Sequence, residues 1–473
     1  MSGFRKIKRI SFHIFTFWMI FSSADNTRSQ DWKQYLDTEK AGWSSEQLEA
    51  AKKYAVSINS AAVMIVDQGN VVAAWGNIDH PYKAASIRKS IYDGTIGAVN
   101  LRKPFDPGTS IEKLGIDDIE PLSSEEKQAT FEQLMTARSG IYHPAAYETE
   151  SNAERRPERH SAKPGEKWYY NNWDFNVVTA AFEKLTDQKI NDAFAEEIAV
   201  PLGMEDFKPD HVFDWFEPRV SRYPAATFRI SARDLSRFGR LYLQKGKWNG
   251  KQIISPDWIK RSTSFLTTFE NGHYGGEGNG YGRMWWIYPA RMESGVAFEK
   301  HLRVAARGAG GQLMVLFPEI DLLIVHRADT DLTNGVSGSA VLKLMDLIVS
   351  ARKTAPRKDA ELGDLRVEPL SGKKPAPLRN DFLAVPENEI EKLEGSFMFS
   401  EKQGIRLYRY ESRLFAQPLG MPLPDAEMFK VADKTLRSPL VNIVIRPVFE
   451  TDRNVETLEI TFNGQTLSAK RRE

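Results

Sequence analysis

Apolar residues recur along this chain with two different periods, and the change of period divides it. Leu48, Ala51 and Ala55 fall on one stripe of an amphipathic helix predicted over Ser45 to Asn59. Ala61 to Val66 and Val71 to Trp75 are β-rich runs around Asp67-Gln68-Gly69-Asn70, a hairpin signal. Helical spacing returns from Ala84 to Asn100, with Ile87, Ile91, Ile96 and Val99 as its apolar points, before a turn-rich stretch from Pro104 to Gly108. Ser123 and Glu126 form a capping box that predicts a helix to about Arg138, ended by Ser139-Gly140. Further helices are expected over Trp173 to Leu185, from a Ser231 cap to about Gln244, and over Ser339 to Arg352. Two strand-like runs, Gln312 to Phe317 and Asp321 to Arg327, flank Pro318.

Beyond residue 352 the pattern shifts. Residues 353–384 are rich in Lys, Arg, Pro and Asp with little periodicity, and read as a linker. From Ile390 the runs are short and β-like: Gly395 to Ser400, Ile405 to Tyr410, Leu414 to Ala416, Val441 to Val448 and Val455 to Phe462. They predict a small all-β sandwich or barrel of roughly 85 residues, within a domain from 385 to 473.

Composition narrows the picture. At 473 residues the chain exceeds the usual single-domain size, so a catalytic domain over 30–352 with a smaller companion is the natural division. A net charge of +1 gives no footprint for nucleic acid. Arg5, Lys6, Lys8 and Arg9 precede the apolar run Ile10 to Phe21, and Ser22-Ser23-Ala24 offers small residues for cleavage. Residues 1–24 therefore read as a signal peptide, which predicts a periplasmic or secreted protein. The run is too short for a membrane span, which needs about 20 residues. With no cysteine, disulfides and thiol chemistry are excluded.

Five Ser-x-x-Lys pairs occur: Ser86/Lys89, Ser110/Lys113, Ser124/Lys127, Ser350/Lys353 and Ser371/Lys374. Only the first stands at the start of a mostly apolar helix directly after a hairpin. Spacing of i to i+3 puts Ser86 and Lys89 on one helix face. In a dry pocket a lysine loses proton affinity and can act as base toward a hydroxyl, while a helix N-terminus adds positive potential. The plain alternative is a surface pair on an amphipathic helix. Tyr170 and Asn172 follow in an aromatic loop after Pro164-Gly165, where a phenol can relay a proton and an amide can orient a lysine or a substrate; on its own such a loop is packing. Gly308 to Gln312 lets a strand edge approach a ligand, and the Ala309 amide can pair with that of Ser86 as an oxyanion hole; on its own it is a tight turn.

Together and in this order, Ser86-x-x-Lys89, Tyr170-x-Asn172 and the Ala306-Arg307-Gly308 segment resemble the serine beta-lactamase and penicillin-binding-protein superfamily. The likeness is to its class C-like branch, which includes esterases and D-amino-acid peptidases. Leu134 to Gly140, Ser231 to Leu235 and Gly280-Tyr281-Gly282 also look like family segments. The resemblance covers roughly residues 45–352. It implies Ser86 as nucleophile, Lys89 as base, Tyr170 as relay and Asn172 as orienting group, and an α+β fold: an antiparallel sheet flanked by helices plus an all-helical part. One departure stands out. The third motif has Ala306 where the family has Lys or His, so Arg307 is expected to bind an anionic group in the pocket, with Gly308 and Gln312 beside it.

Other chemistries find less support. No Gly-x-Ser-x-Gly elbow exists, and the eight histidines lack metal-ligand spacing, His143 and His160 reading as loop residues. The expectation is an exported serine hydrolase acting on an ester or amide of a small molecule or peptide, without metal or cofactor. The alternative is a penicillin-binding-like D-alanyl-D-alanine carboxypeptidase or a non-catalytic cell-wall peptide binder.

Overall fold

Strands apolar on both faces must be covered on both faces, and three such runs form the middle of the main sheet. In the computed structural model the chain is described over residues 31–269, 278–370, 374–375, 377–421, 423–449, 455–462 and 464–472. The expected signal peptide lies outside these residues, as does part of the loop from Phe265 to Gly282.

We number the strands of the main sheet β1 (Lys33–Tyr35), β2 (Ala62–Asp67), β3 (Asn70–Gly76), β4 (Thr267–Thr268), β5 (Gly280–Tyr281), β6 (Trp286–Tyr288), β7 (Arg303–Gly308), β8 (Gln312–Phe317), β9 (Leu322–Arg327) and β10 (Leu362–Asp364). Their spatial order is β10-β1-β3-β2-β9-β8-β7-β6-β5-β4. Every residue of β2, β8 and β9 is buried. The ladders are antiparallel except at Gln34↔Val71, where β1 runs parallel to β3.

Helices cover both faces. The first five long ones are α1 (Ser45–Ser57), α2 (Ile87–Arg102), α3 (Asn172–Thr186), α4 (Ala232–Leu243) and α5 (Gly338–Ala351). A Cβ added to Gly239 of α4 would sit within 3.2 Å of Leu323, Met314 and Leu316 side chains, so α4 lies against the even-numbered face of β8. On the opposite face α1 packs with α5. Asp67, fully buried at the end of β2, ties the layers: it accepts from Trp43 Nε1 at 2.9 Å and from Arg352 Nε at 2.8 Å. Between β3 and β4 the chain builds a helical part from Phe131–Met135, Glu150–Glu154, α3 and Ile190–Phe194.

Two sequence expectations are corrected here. Ser123 and Glu126 do exchange capping bonds, but they open a single turn, Glu126–Gln128. The chain then leaves the helix at Ala129, because Ala129 and Thr109 carbonyls bond Ile111 and Phe131, and a second capping box of Thr130 and Gln133 opens Phe131–Met135. The expected linker also contains β10, which pairs with β1 through Lys33↔Asp364 to Tyr35↔Leu362, and Glu368, which bridges to Trp75. Backbone pairing, invisible to composition, orders this stretch.

The C-terminal strands, from Gly395–Met398 to Gln465–Arg472, form a closed eight-stranded antiparallel barrel. Closure joins first to last through Phe397↔Arg471, and Phe397, Leu407, Leu414, Ile445 and Leu458 fill a core separate from that of the larger domain.

Candidate active site

The segment that presents Ser86 is pinned before the helix begins. Tyr82–Lys83 pair with Ile230 and Arg229, and their carbonyls accept from Arg327 Nη2 at 3.0 and 2.8 Å. Ala84 N donates to Phe228 O at 2.9 Å. Ala85 then adopts φ +48°, a left-handed conformation that costs an alanine about 1 kcal/mol. This turn places Ser86 at the N-cap of α2, three residues later than the sequence pattern suggested, with no side-chain capping bond to occupy its hydroxyl. Ser86 is part-exposed, while Lys89, one turn on, is buried.

Lys89 Nζ lies 3.0 Å from Ser86 Oγ, 2.7 Å from Tyr170 OH and 2.7 Å from Asn172 Oδ1. No carboxylate pairs with it among the described residues; its other neighbours are the rings of Tyr170 and Phe175, at 4.3 and 4.7 Å. Burial holds its pKa well below the usual lysine value, and the adjacent Arg88 guanidinium lowers it further. A neutral amine here keeps two N–H donors for Tyr170 and Asn172 and turns its lone pair to the Ser86 hydroxyl.

The second element is rigid for a local reason. Asn171 caps α3 through Trp173 N, and its amide also bonds Ile141 O and Asp174 Oδ1. Asp174, buried and held well above the usual carboxylate range by burial, accepts from Ser139 Oγ at 2.5 Å. Tyr170 and Asn172 are thereby fixed on either side of the cap. Tyr170 stacks on Trp286 at 5.2 Å, packs edge-on to Tyr281 and meets Phe175 at a tilt. The expected site left out Phe175 and Arg88, while Trp286 falls in the loop from Trp285 to Phe298 that the sequence offers as shaping the pocket.

The third element comes close. A Cβ on Gly308 would lie 3.0 Å from Ala84 O and 3.1 Å from Ala85 Cβ, so the end of β7 touches the turn before Ser86. The ladder from β6 stops at Trp286↔Ala305, which leaves Ala306 to Gly308 without a strand on that side among the described residues. His326 Nδ1 bonds Gly311 O at 2.7 Å and its Nε2 meets Ser60 Oγ at 2.8 Å, anchoring the glycine turn from below.

Arg307 is exposed and meets the aromatic wall, while Gln312 is buried within the sheet. Strand alternation sends the Arg307 side chain to the sheet face opposite Ala306, where Nη1 donates to Tyr288 OH at 2.7 Å and the guanidinium lies 5.6 Å from the Trp286 ring centre. The Gln312 amide is buried and bonded to Ala328 O at 2.7 Å. Gly308 stands at the Ser86 turn, and Ala309 after it is exposed. His143 and His160 both sit in loops, and no group of three metal-ligating side chains occurs among the described residues.

A helix-flanked sheet, a helical part and a Ser-x-x-Lys helix meeting Tyr-x-Asn define a protein of the serine beta-lactamase and penicillin-binding-protein type. The Beta-lactamase family model matches residues 46–340, and the chain belongs to that family of serine hydrolases. No curated protein matches the sequence. Among solved structures it is similar to the octameric penicillin-binding protein homologue from Pyrococcus abyssi, at 16% identity over 90% of this chain and 99% of that one, with a TM-score of 0.48. It is similar also to a penicillin-binding protein homolog from Caulobacter crescentus, at 14% identity over 66% of this chain and 99% of that one, with a TM-score of 0.47.

Proposed function

We propose that this protein cleaves an ester or amide through an acyl-enzyme on Ser86. The observation that carries the reading is the buried Lys89 amine, held between Ser86 Oγ, Tyr170 OH and Asn172 Oδ1 with no carboxylate paired to it among the described residues. Neutral Lys89 takes the Ser86 proton as Oγ attacks the substrate carbonyl. The amides of Ser86 and Ala309 receive the developing oxyanion at the N-terminus of α2. As the tetrahedral intermediate collapses, the proton passes through Tyr170 to the leaving group; water then attacks the ester and regenerates Ser86. Asn172 orients Lys89. Neither metal nor cofactor enters this scheme.

Ala306 in place of a cationic or imidazole side chain favours an ester or a neutral amide over a beta-lactam, whose carboxylate needs a partner there. The same gap sustains the second reading, a penicillin-binding-like protein that acts on D-alanyl peptides or only binds them. Export by the N-terminal segment belongs to this proposal, and N-terminal sequencing of secreted material checks it.

A fluorophosphonate probe should leave its adduct on Ser86, mapped by mass spectrometry. Ser86→Ala should lower turnover of p-nitrophenyl esters by about 10⁴-fold or more with Tm within about 2 °C of the parent. A folded Ser86→Ala protein with parental activity ends this proposal.

A further inference from the structure

A cavity lies on the α5 face of the main sheet. Its volume is about 310 Å³, and it is roofed by α5 and the segment around Phe298. Alternation along β7 and β8 builds it: Arg303 and Arg307 share a face with Leu313, Val315 and Phe317, while Ala306 and Met314 point to the α4 side. The apolar floor is completed by Leu342 and Met345 of α5.

Arg303 and Arg307 line it, with Glu299 as the acid beside them among the described residues. No ion pair joins Glu299 to Arg303 or Arg307 among the described residues, and Glu299 accepts from Ser294 Oγ instead. Arg303 is only 5% exposed, and its Nε has no hydrogen-bond partner. Among the described residues its one hydrogen bond is a long one, 3.5 Å from Nη2 to Pro289 O. The rings of Tyr288 and Phe298 sandwich its guanidinium at 5.2 and 4.9 Å. Burial pushes its pKa down to about 10. A buried cation with unmet donors is an unfavourable arrangement for an empty apolar cavity, and a favourable one for an anion.

We propose that this cavity binds a small amphipathic carboxylate, its head group on Arg303 and Arg307 and its hydrocarbon part on Leu313, Val315, Leu342 and Met345. The arginine fork suits a carboxylate in two-point contact, and cavities of this size with a few convergent polar groups are typical of small-molecule sites. The site is separate from the Ser86 chemistry. It adjoins it, because Arg307 also reaches Trp286, on which Tyr170 stacks.

Calorimetric titration of the full chain with octanoate and with 1-octanol tests this. Octanoate should bind at least tenfold more tightly than the uncharged alcohol. Arg303→Met should remove that preference, and Leu342→Trp, which fills the cavity from an exposed position on α5, should weaken octanoate at least tenfold. Should Arg303→Met fail to fold, Leu342→Trp decides alone. Equal affinity for acid and alcohol, or octanoate binding unchanged in Leu342→Trp, overturns the proposal.

Discussion

At the scale of single residues, the site turns on how a lysine is kept uncharged. Lys89 is buried beside Arg88, which is itself fully buried and, among the described residues, bonds only Asn176 Oδ1, at 3.1 Å, from Nη2. Burial is the larger influence on Lys89 and the neighbouring cation the second. If Lys89 is the base, activity rises with pH as it loses its proton, and does so below the ordinary lysine range. Removing the second cation raises the Lys89 pKa, so in Arg88→Met the acidic limb of the kcat/KM profile should move to higher pH. Comparison of the two profiles on one ester checks the direction; a limb shifted to lower pH contradicts it. The three residues around Lys89, namely Ser86, Tyr170 and Asn172, were legible from the order of their motifs. Arg88 was not, because an arginine between a serine and a lysine reads as surface charge until the helix is seen to bury that face.

At the scale of elements, the third motif acts by contact more than by side-chain chemistry. Gly308 has ordinary extended backbone, so its lack of a Cβ matters only for the approach to Ala84 and Ala85. Gly308→Ala must push β7 from the Ser86 turn by a few tenths of an ångström, and kcat/KM should fall about tenfold with Tm nearly unchanged. The Ser60–His326–Gly311 chain holds the same turn. Burial depresses the His326 pKa to about 4, whereas the unfolded value is near 6.5. Between those values the unfolded chain takes up a proton that the folded one refuses, so this contribution to stability shrinks as pH falls from 6.5 to 4, by up to about 3 kcal/mol. Asp93 and Asp234, raised to about 6 by burial, act oppositely over an overlapping window. The clean readout is therefore a difference. Denaturant titrations of His326→Gln should show a smaller loss on acidification than the parent. Element identity was largely readable, since α1, α2, α3, α4 and α5 follow apolar stripes. What was not readable came from pairing at a distance: the break after Gln128, the strand Leu362–Asp364, and the face on which Arg307 emerges.

At the scale of the molecule, the barrel and the larger domain each have their own apolar core, and polar contacts join them at a seam beside the ring contacts Phe213–Phe382–Phe429. Asp425 of the barrel is buried, and accepts from Arg219 Nε and Nη2 at 2.8 and 2.6 Å and from Tyr408 OH at 2.6 Å. Lys83 Nζ reaches Leu440 O at 3.0 Å and pairs with Asp331, while Arg413 lies 4.2 Å over the Phe216 ring. Lys83 is three residues before Ser86, so the seam continues into the turn that presents the candidate nucleophile. Asp425→Ala leaves the Tyr408 hydroxyl and the Arg219 guanidinium without this acceptor, a loss of about 1–3 kcal/mol. Because Arg219 is half exposed and can turn to water, the loss should fall toward the lower end. The loss falls on the attachment, not on either core. Calorimetry of Asp425→Ala should therefore resolve two transitions, with the barrel melting first, where the parent shows one or a narrower pair. A single transition merely shifted downward would mean that the two cores are coupled through contacts other than this seam.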